Sequence, residues 1–141
     1  SNHETASDKL VIANSNTTTP LIEGDFDAAT LKVNGSLEVT GSMTMSVANT
    51  ITSSTTYNGN ETIIPINGAN LEITIDTDQL VKGRVLTFKN LINQSYTILT
   101  EGSEQIQNFS MDLSDNLQVN VTGQTLTIFS DGSNWYPLGY N

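Results

Sequence analysis

Apolar and polar residues alternate without exception between residues 31 and 47, where the pattern LxVxGS occurs twice, at 31–36 and 37–42. Every odd position is apolar or glycine, and every even position is polar. Because a β-strand has a period of two, one face of this stretch is apolar and the other is polar. The pattern predicts a β-ribbon in which Gly35 and Gly41 allow a bend or a close approach of two backbones.

Such a ribbon cannot bury its own apolar face, and it has too few hexads for a single-chain β-helix. The face can pack on the C-terminal domain of the same chain or on copies from other chains. The regular period and the regularly placed glycines favour copies arranged around an axis. We therefore predict a parallel homotrimer whose interface contains Leu31, Val33, Leu37, Val39, Met43 and Met45.

The pattern also divides the chain into three parts. Residues 14–20 have no apolar period and end in Pro20, and residues 48–60 lose the alternation and contain the turn signal Asn58-Gly59. We predict a flexible tether and lead-in over 1–30, a hexad β-repeat shaft that trimerises over 31–50, and a head domain over 51–141.

Short strands with turn signals between them follow residue 60. We predict nine of them, over 61–66, 71–76, 84–90, 95–101, 105–109, 110–114, 116–122, 125–130 and 134–140. This density indicates an all-β protein whose head is a small β-sandwich or a jelly roll. The core candidates are the alternating residues Leu71, Ile73, Ile75, Leu117, Val119 and Val121.

The composition agrees with an all-β fold and excludes several classes of partner and chemistry. Charged residues make up only 14% of the 141 residues, and the net charge is −10, which argues against nucleic acid and anionic membranes as partners. The chain has no cysteine, so it has no disulfide, thiol nucleophile or thiolate metal site. No apolar run is long enough to predict insertion into a membrane.

The residues that carry acid–base chemistry are sparse. The single histidine, His3, falls in the predicted tether, which argues against a Ser-His-Asp arrangement. Carboxylates occur in pairs at Asp76 and Asp78, at Glu101 and Glu104, and at Asp112 and Asp115. Such pairs can hydrolyse a glycosidic bond or, at Asp76 and Asp78, bind calcium, but acidic residues at loop ends are usually solvated. We predict no catalytic residue, no metal and no cofactor.

Aromatic residues near the C-terminus are the candidate binding residues. We predict that Trp135, Tyr136 and Tyr140 contact a receptor, because sugar sites commonly contain an exposed ring beside amides and carboxylates. Alternatively Trp135 fills the end of the core, which leaves Tyr136 and Tyr140 as the exposed pair. The cluster Lys82, Arg84 and Lys89 either meets an acidic polysaccharide or is a solvated strand edge.

Two stretches resemble a known family. LKVNGSLEVTGSMTM (31–45) is similar to the segments that lead into the distal domains of bacteriophage tail fibres and tailspikes. LTIFSDGSNWYPLG (126–139) resembles a recurrent C-terminal hairpin of fibre tips, with a strand, an Asp-Gly turn and a tryptophan. The residues that carry the resemblance are Gly35, Gly41, Asp131, Gly132 and Trp135. It implies a trimeric fibre end whose last domain touches a host surface.

Three functions remain open from the sequence. The first is the structural and receptor-binding tip of a viral, phage-type fibre, extracellular on the virion, which joins other fibre proteins and attaches to a host surface glycan or a protein receptor. The second is a carbohydrate-binding or adhesin module of a cell-surface protein. The third is a non-catalytic end domain of a polysaccharide-degrading tailspike.

Overall fold

The computed structural model describes residues 8–13, 15, 17–120 and 124–140. The chain is nearly all β and forms two compact units, Ser1–Met43 and Thr44–Asn141. The second unit therefore begins within the predicted shaft rather than after residue 50.

The first unit contains a three-stranded antiparallel sheet in the order β1-β2-β3, formed by β1 (Lys9–Ile12), β2 (Ile22–Asp25) and β3 (Thr30–Val33). The prediction of a tether over 1–30 is wrong for these strands, because the short apolar run that begins at Leu10 finds partners in β2. His3 lies outside the described residues. Beyond β3, residues 34–46 form no strand in this chain, since no neighbouring strand pairs with them.

The second unit contains two sheets. The strands are β4 (Thr55–Tyr57), β5 (Ile63–Ile66), β6 (Leu71–Ile75), β7 (Val85–Asn90), β8 (Tyr96–Thr100), β9 (Ile106–Gln107), β10 (Leu113–Ser114), β11 (Asn116–Val119), β12 (Thr125–Ser130) and β13 (Trp135–Tyr140). A short 3₁₀ helix spans Thr77–Gln79. The sheet orders are β10-β9-β13-β12-β7-β5 and β11-β8-β6-β4. All nine strands predicted after residue 60 are confirmed, and β4 is an addition.

Strand pairing is parallel in the first half of this unit. From β4 to β8 the chain alternates between the two sheets, so that β4, β6 and β8 pair in parallel, as do β5 and β7. Parallel bridges from Val47 to Ile63 and from Ile51 to Ile66 extend the same pattern upstream. Each parallel neighbour is reached through a strand of the other sheet, which supplies the crossover that parallel pairing requires.

Both sheets contribute to one hydrophobic core. Alternate residues of β5 to β8, β11 and β12 are buried, as the period of two demands. The predicted core residues Leu71, Ile73, Ile75, Leu117 and Val119 are among them. Val121 lies outside the described residues. The later strands complete the two sheets mostly by antiparallel pairing, with β12 against β7 and β13, and β11 against β8. The exception is β13, which pairs with β9 in parallel. The β12–β13 hairpin carries the aromatic residues that the sequence predicts for receptor contact.

Candidate functional site

The outer surface of the β12–β13 hairpin carries a pair of aromatic rings. In β12 the core-facing residues Leu126, Ile128 and Ser130 are buried, so Phe129 faces outward and is only partly buried. Phe129 is opposite Tyr136 in the register, and the two ring centroids lie 5.6 Å apart at a tilt of 31°. This geometry is an ordinary favourable one for two aromatic rings. The pair forms a partly exposed apolar platform.

A tight turn next to the platform fixes a carboxylate beside Tyr136. Asp131 Oδ1 accepts hydrogen bonds from the backbone N–H groups of Ser133 and Asn134, at 2.7 and 2.8 Å. These two bonds lower the pKa of the Asp131 carboxyl, and a hydrogen bond from the Tyr136 hydroxyl adds to the effect. Gly132 has φ +94°, a left-handed conformation that glycine adopts without strain. The predicted Asp-Gly turn thus holds an ionised oxygen acceptor next to an aromatic ring.

Hydroxyl and amide groups lie on β12 itself and on the strands next to the hairpin. Thr127 and Thr87 lie opposite each other on β12 and β7, and their hydroxyl oxygens are 3.2 Å apart. Gln107 of β9 is partly exposed, and the neighbouring Gln105 donates its backbone N–H to Asn134 Oδ1 at 2.9 Å. A ring bordered by hydroxyl, amide and carboxylate groups can stack on one face of a sugar and hydrogen-bond its rim.

Trp135 does not belong to this surface. Its side chain is fully buried in the core, so the prediction that it contacts a receptor is wrong and the alternative, that it fills the core, holds. Adjacent strand residues face opposite sides, and the register that points Tyr136 outward points Trp135 inward. Among the described residues, no acceptor pairs with the indole Nε1–H of Trp135. The side chain of Tyr140 lies outside the described residues.

Arg84 of the predicted basic cluster is engaged in hydrogen bonds within the fold. The Arg84 guanidinium donates hydrogen bonds to the backbone oxygens of Gly59, Asn60 and Glu61, at 2.9–3.1 Å, and to Gln79 Oε1. Arg84 is therefore engaged in holding a loop. Lys89 lies across from Thr125 on the outer side of β7.

Two of the three predicted acidic pairs contain carboxylates with structural partners. Asp76 caps the 3₁₀ helix by accepting the N–H of Asp78 at 2.8 Å. Glu101 accepts the N–H of Thr77 at 3.2 Å, and the buried Glu104 accepts the N–H of Gly102 at the same distance. Within the described parts of the chain, no group of three or more histidine, cysteine or acidic residues is arranged to hold a metal ion.

A second surface feature of this unit was missed from the sequence. The β9–β10 hairpin exposes Phe109, Met111 and Leu113, with Met111 at φ +69° and 77% exposed. Asn108 Oδ1 fixes the turn by accepting the N–H groups of Ser110 and Asp112. The sequence feature that indicates this exposed apolar hairpin is the alternation of Phe109, Met111 and Leu113 with turn-forming polar residues.

The predicted interface residues are mostly exposed in the single chain. Leu31, Leu37 and Met43 are 65–71% exposed, Val39 and Met45 somewhat less, and Val33 is partly buried. We call the six residues Leu31, Val33, Leu37, Val39, Met43 and Met45 the hexad stripe. In the single chain this apolar run is largely uncovered.

No protein-family model matches this chain, and neither a curated protein nor a solved structure matches it. In the part of the chain that the structure describes, no helix is long and apolar enough to cross a membrane.

Proposed function

We propose that the chain is the structural and receptor-binding tip of a viral, phage-type fibre, extracellular on the virion, which attaches the particle to a host surface glycan. It acts as a parallel homotrimer, with a short shaft around the hexad stripe and a sandwich-like head. It joins other fibre proteins and performs no chemical turnover.

The observation that carries this proposal is the exposure of the hexad stripe. A monomeric protein rarely leaves a long apolar run in water, and here Leu37 is 71% exposed although the head buries its own core completely. The strict alternation supplies each copy with the same apolar face. Three identical strands around an axis are the simplest arrangement that covers it.

The Phe129–Tyr136 platform supports a glycan as the ligand. It combines a partly exposed ring pair with the Asp131 carboxylate and the hydroxyls of Thr87 and Thr127. A single shallow platform binds a sugar weakly, and three copies on one particle raise the effective affinity.

A glycan array probed with the full chain tests the proposal. Wild-type protein should bind a subset of surface glycans, Tyr136→Ala should lose that signal, and Tyr136→Phe should retain most of it because the ring remains. Met111→Ala, on the exposed hairpin, is the matched control and should bind normally. No array signal, or a loss caused only by Met111→Ala, contradicts glycan binding at the platform.

Two further measurements separate the alternatives. A chain that binds glycans but remains monomeric by light scattering is a carbohydrate-binding module and not a fibre tip. Release of reducing ends from a bound polysaccharide contradicts the absence of turnover.

A further inference from the structure

The sheet of the first unit has one entirely apolar face. The register pairs Leu10 with Gly24 and Gly24 with Leu31, and it pairs Ile12 with Ile22 and Ile22 with Val33. Side chains of register partners point to the same side of a sheet, as do residues two apart in a strand. One face therefore carries Leu10, Ile12, Ile22, Gly24, Leu31 and Val33, and we call it the N-terminal apolar face.

The opposite face of the same sheet carries Val11 and Thr30 beside the charged side chains of the strands, and its charges are matched. The Lys9 ammonium pairs with the Asp25 carboxylate, and Glu23 lies opposite Lys32 in the register. Two positive and two negative side chains leave the strands without net charge, although the whole chain carries −10. The strands themselves therefore add no net repulsion between copies of this sheet, and the nearby excess charge is that of Asp8 and Asp27 in the flanking turns.

The N-terminal apolar face is not covered within its own unit. Ile12 is 47% exposed and Leu31 is 65% exposed. Around Gly24 there is an open depression of about 310 Å³, whose apolar lining includes Leu10 and Phe26. A sheet with one apolar face is stable when another layer covers that face.

This face is continuous with the hexad stripe. Leu31 and Val33 belong to both, because β3 is the sheet's last strand and also the start of the alternating stretch. If another copy of the chain packs on Leu31 and Val33, it also lies next to the apolar residues of β2 and β1 on the same face of the sheet. The face bears no charged side chain with which a foreign partner could be selected.

We propose that the N-terminal apolar face is an assembly surface that packs on a second copy of this chain, so that residues 9–33 extend the trimer interface beyond the hexad stripe. This inference rests on the proposed function, since it assumes that copies associate through the stripe. The depression at Gly24 accepts an aliphatic side chain of the adjacent copy. Residues 9–33 are then part of the fibre's structure and not a tether.

Two substitutions at adjacent positions of β1 test it in the full chain. Ile12 points to the apolar face and Val11 to the polar face, so Ile12→Lys and Val11→Lys introduce the same charge on opposite sides. Because Ile12 is already half exposed in the single chain, lysine is compatible with the chain's own fold there. Ile12→Lys should weaken association by at least about tenfold in sedimentation equilibrium, and Val11→Lys should change it less than about twofold.

Cross-linking supplies an independent readout, because the chain has no native cysteine. Ile12→Cys should form covalent dimers with a short bismaleimide, and Val11→Cys should not. If Ile12→Lys aggregates, the comparison of Ile12→Cys with Val11→Cys still shows whether this face packs on a second copy. Near-ultraviolet circular dichroism of the buried Trp135 checks in each variant that the head is folded.

The outcomes distinguish the two proposals. A monomeric wild-type chain contradicts the proposed fibre trimer. If the wild type is a trimer, the Ile12→Lys chain associates as tightly as the wild type, and Ile12→Cys gives no covalent dimer, the assembly surface alone is overturned. The proposed trimer through the hexad stripe then still stands. Capture of a different protein by this face, without self-association, also overturns it.

Discussion

At the scale of single residues, the buried tyrosine of β4 shows how the second unit controls a titratable group. The Tyr57 hydroxyl donates to the backbone oxygen of Glu61 at 2.7 Å and lies 3.2 Å from the Glu61 carboxylate. Burial raises the pKa of the Tyr57 phenol to about 12, and the neighbouring carboxylate adds to the rise. The folded state thus stabilises the neutral phenol.

This shift predicts a loss of stability at alkaline pH. The pKa of Tyr57 in the fold lies above its ordinary value of 10.0, so its contribution is complete below pH 10 and is lost as the pH rises to about 12. Tyr57→Phe should remove this alkaline loss and the Tyr57 phenolate step from an ultraviolet titration. It should also lower the free energy of unfolding near neutral pH by about 1 kcal/mol, through the lost hydrogen bond.

The phenolate titration of the native chain is the decisive measurement. If the difference titration between the native chain and Tyr57→Phe shows a phenolate step near pH 10.0 in the folded protein, the environment of Tyr57 is not the one described.

At the scale of elements, one arginine joins three segments of the second unit. Arg84, just before β7, donates to Gly59, Asn60 and Glu61 in the loop that precedes β5, and to Gln79 of the 3₁₀ helix. A planar guanidinium can serve several acceptors at once, which a lysine ammonium cannot do in the same geometry. The loop between β4 and β5 therefore depends on a residue more than twenty positions away.

Arg84→Ala should lower the free energy of unfolding by about 2 kcal/mol, because the carbonyl groups lose a charged donor. Arg84→Lys should recover less than half of the loss. Lys82→Ala, two positions earlier, is the control and should have little effect, since Lys82 is exposed. Urea denaturation followed by Trp135 fluorescence measures all three. An Arg84→Ala chain as stable as wild type would show that the loop holds itself.

At the scale of the whole molecule, assembly decides whether the apolar surface of residues 9–47 is covered. In the proposed trimer each leucine or valine of the hexad stripe that becomes buried would contribute about 1.5–3 kcal/mol, and three chains would multiply the number of such groups. Stability and oligomeric state should therefore be coupled and depend on protein concentration.

Val39→Asp should give a monomeric or insoluble chain, because three carboxylates would lie close together on the axis with little water around them. Glu38→Ala changes the adjacent, polar-facing position and should leave the trimer intact. Light scattering and thermal melting report both. A Val39→Asp trimer with unchanged melting would show that the hexad stripe is not the interface.

The sequence by itself determined much of the local structure. Alternation at period two located all nine predicted strands, and it named core residues such as Ile73 and Val119 that prove buried. The Asp131-Gly132 pair located the last turn. These features depend on residues a few positions apart, and so a local pattern is sufficient to find them.

Only the tertiary structure decided which strands pair and which of two adjacent rings is exposed. Alternation requires Trp135 and Tyr136 to face opposite sides, but the register with β9 and β12 selects Trp135 for the core. The parallel pairing of β4 to β8 and the partnership of β1 with β2 also join distant residues. A period of two predicts which side chains of a strand face the core, but it does not predict which strands pair. The same alternation is compatible with parallel and with antiparallel partners.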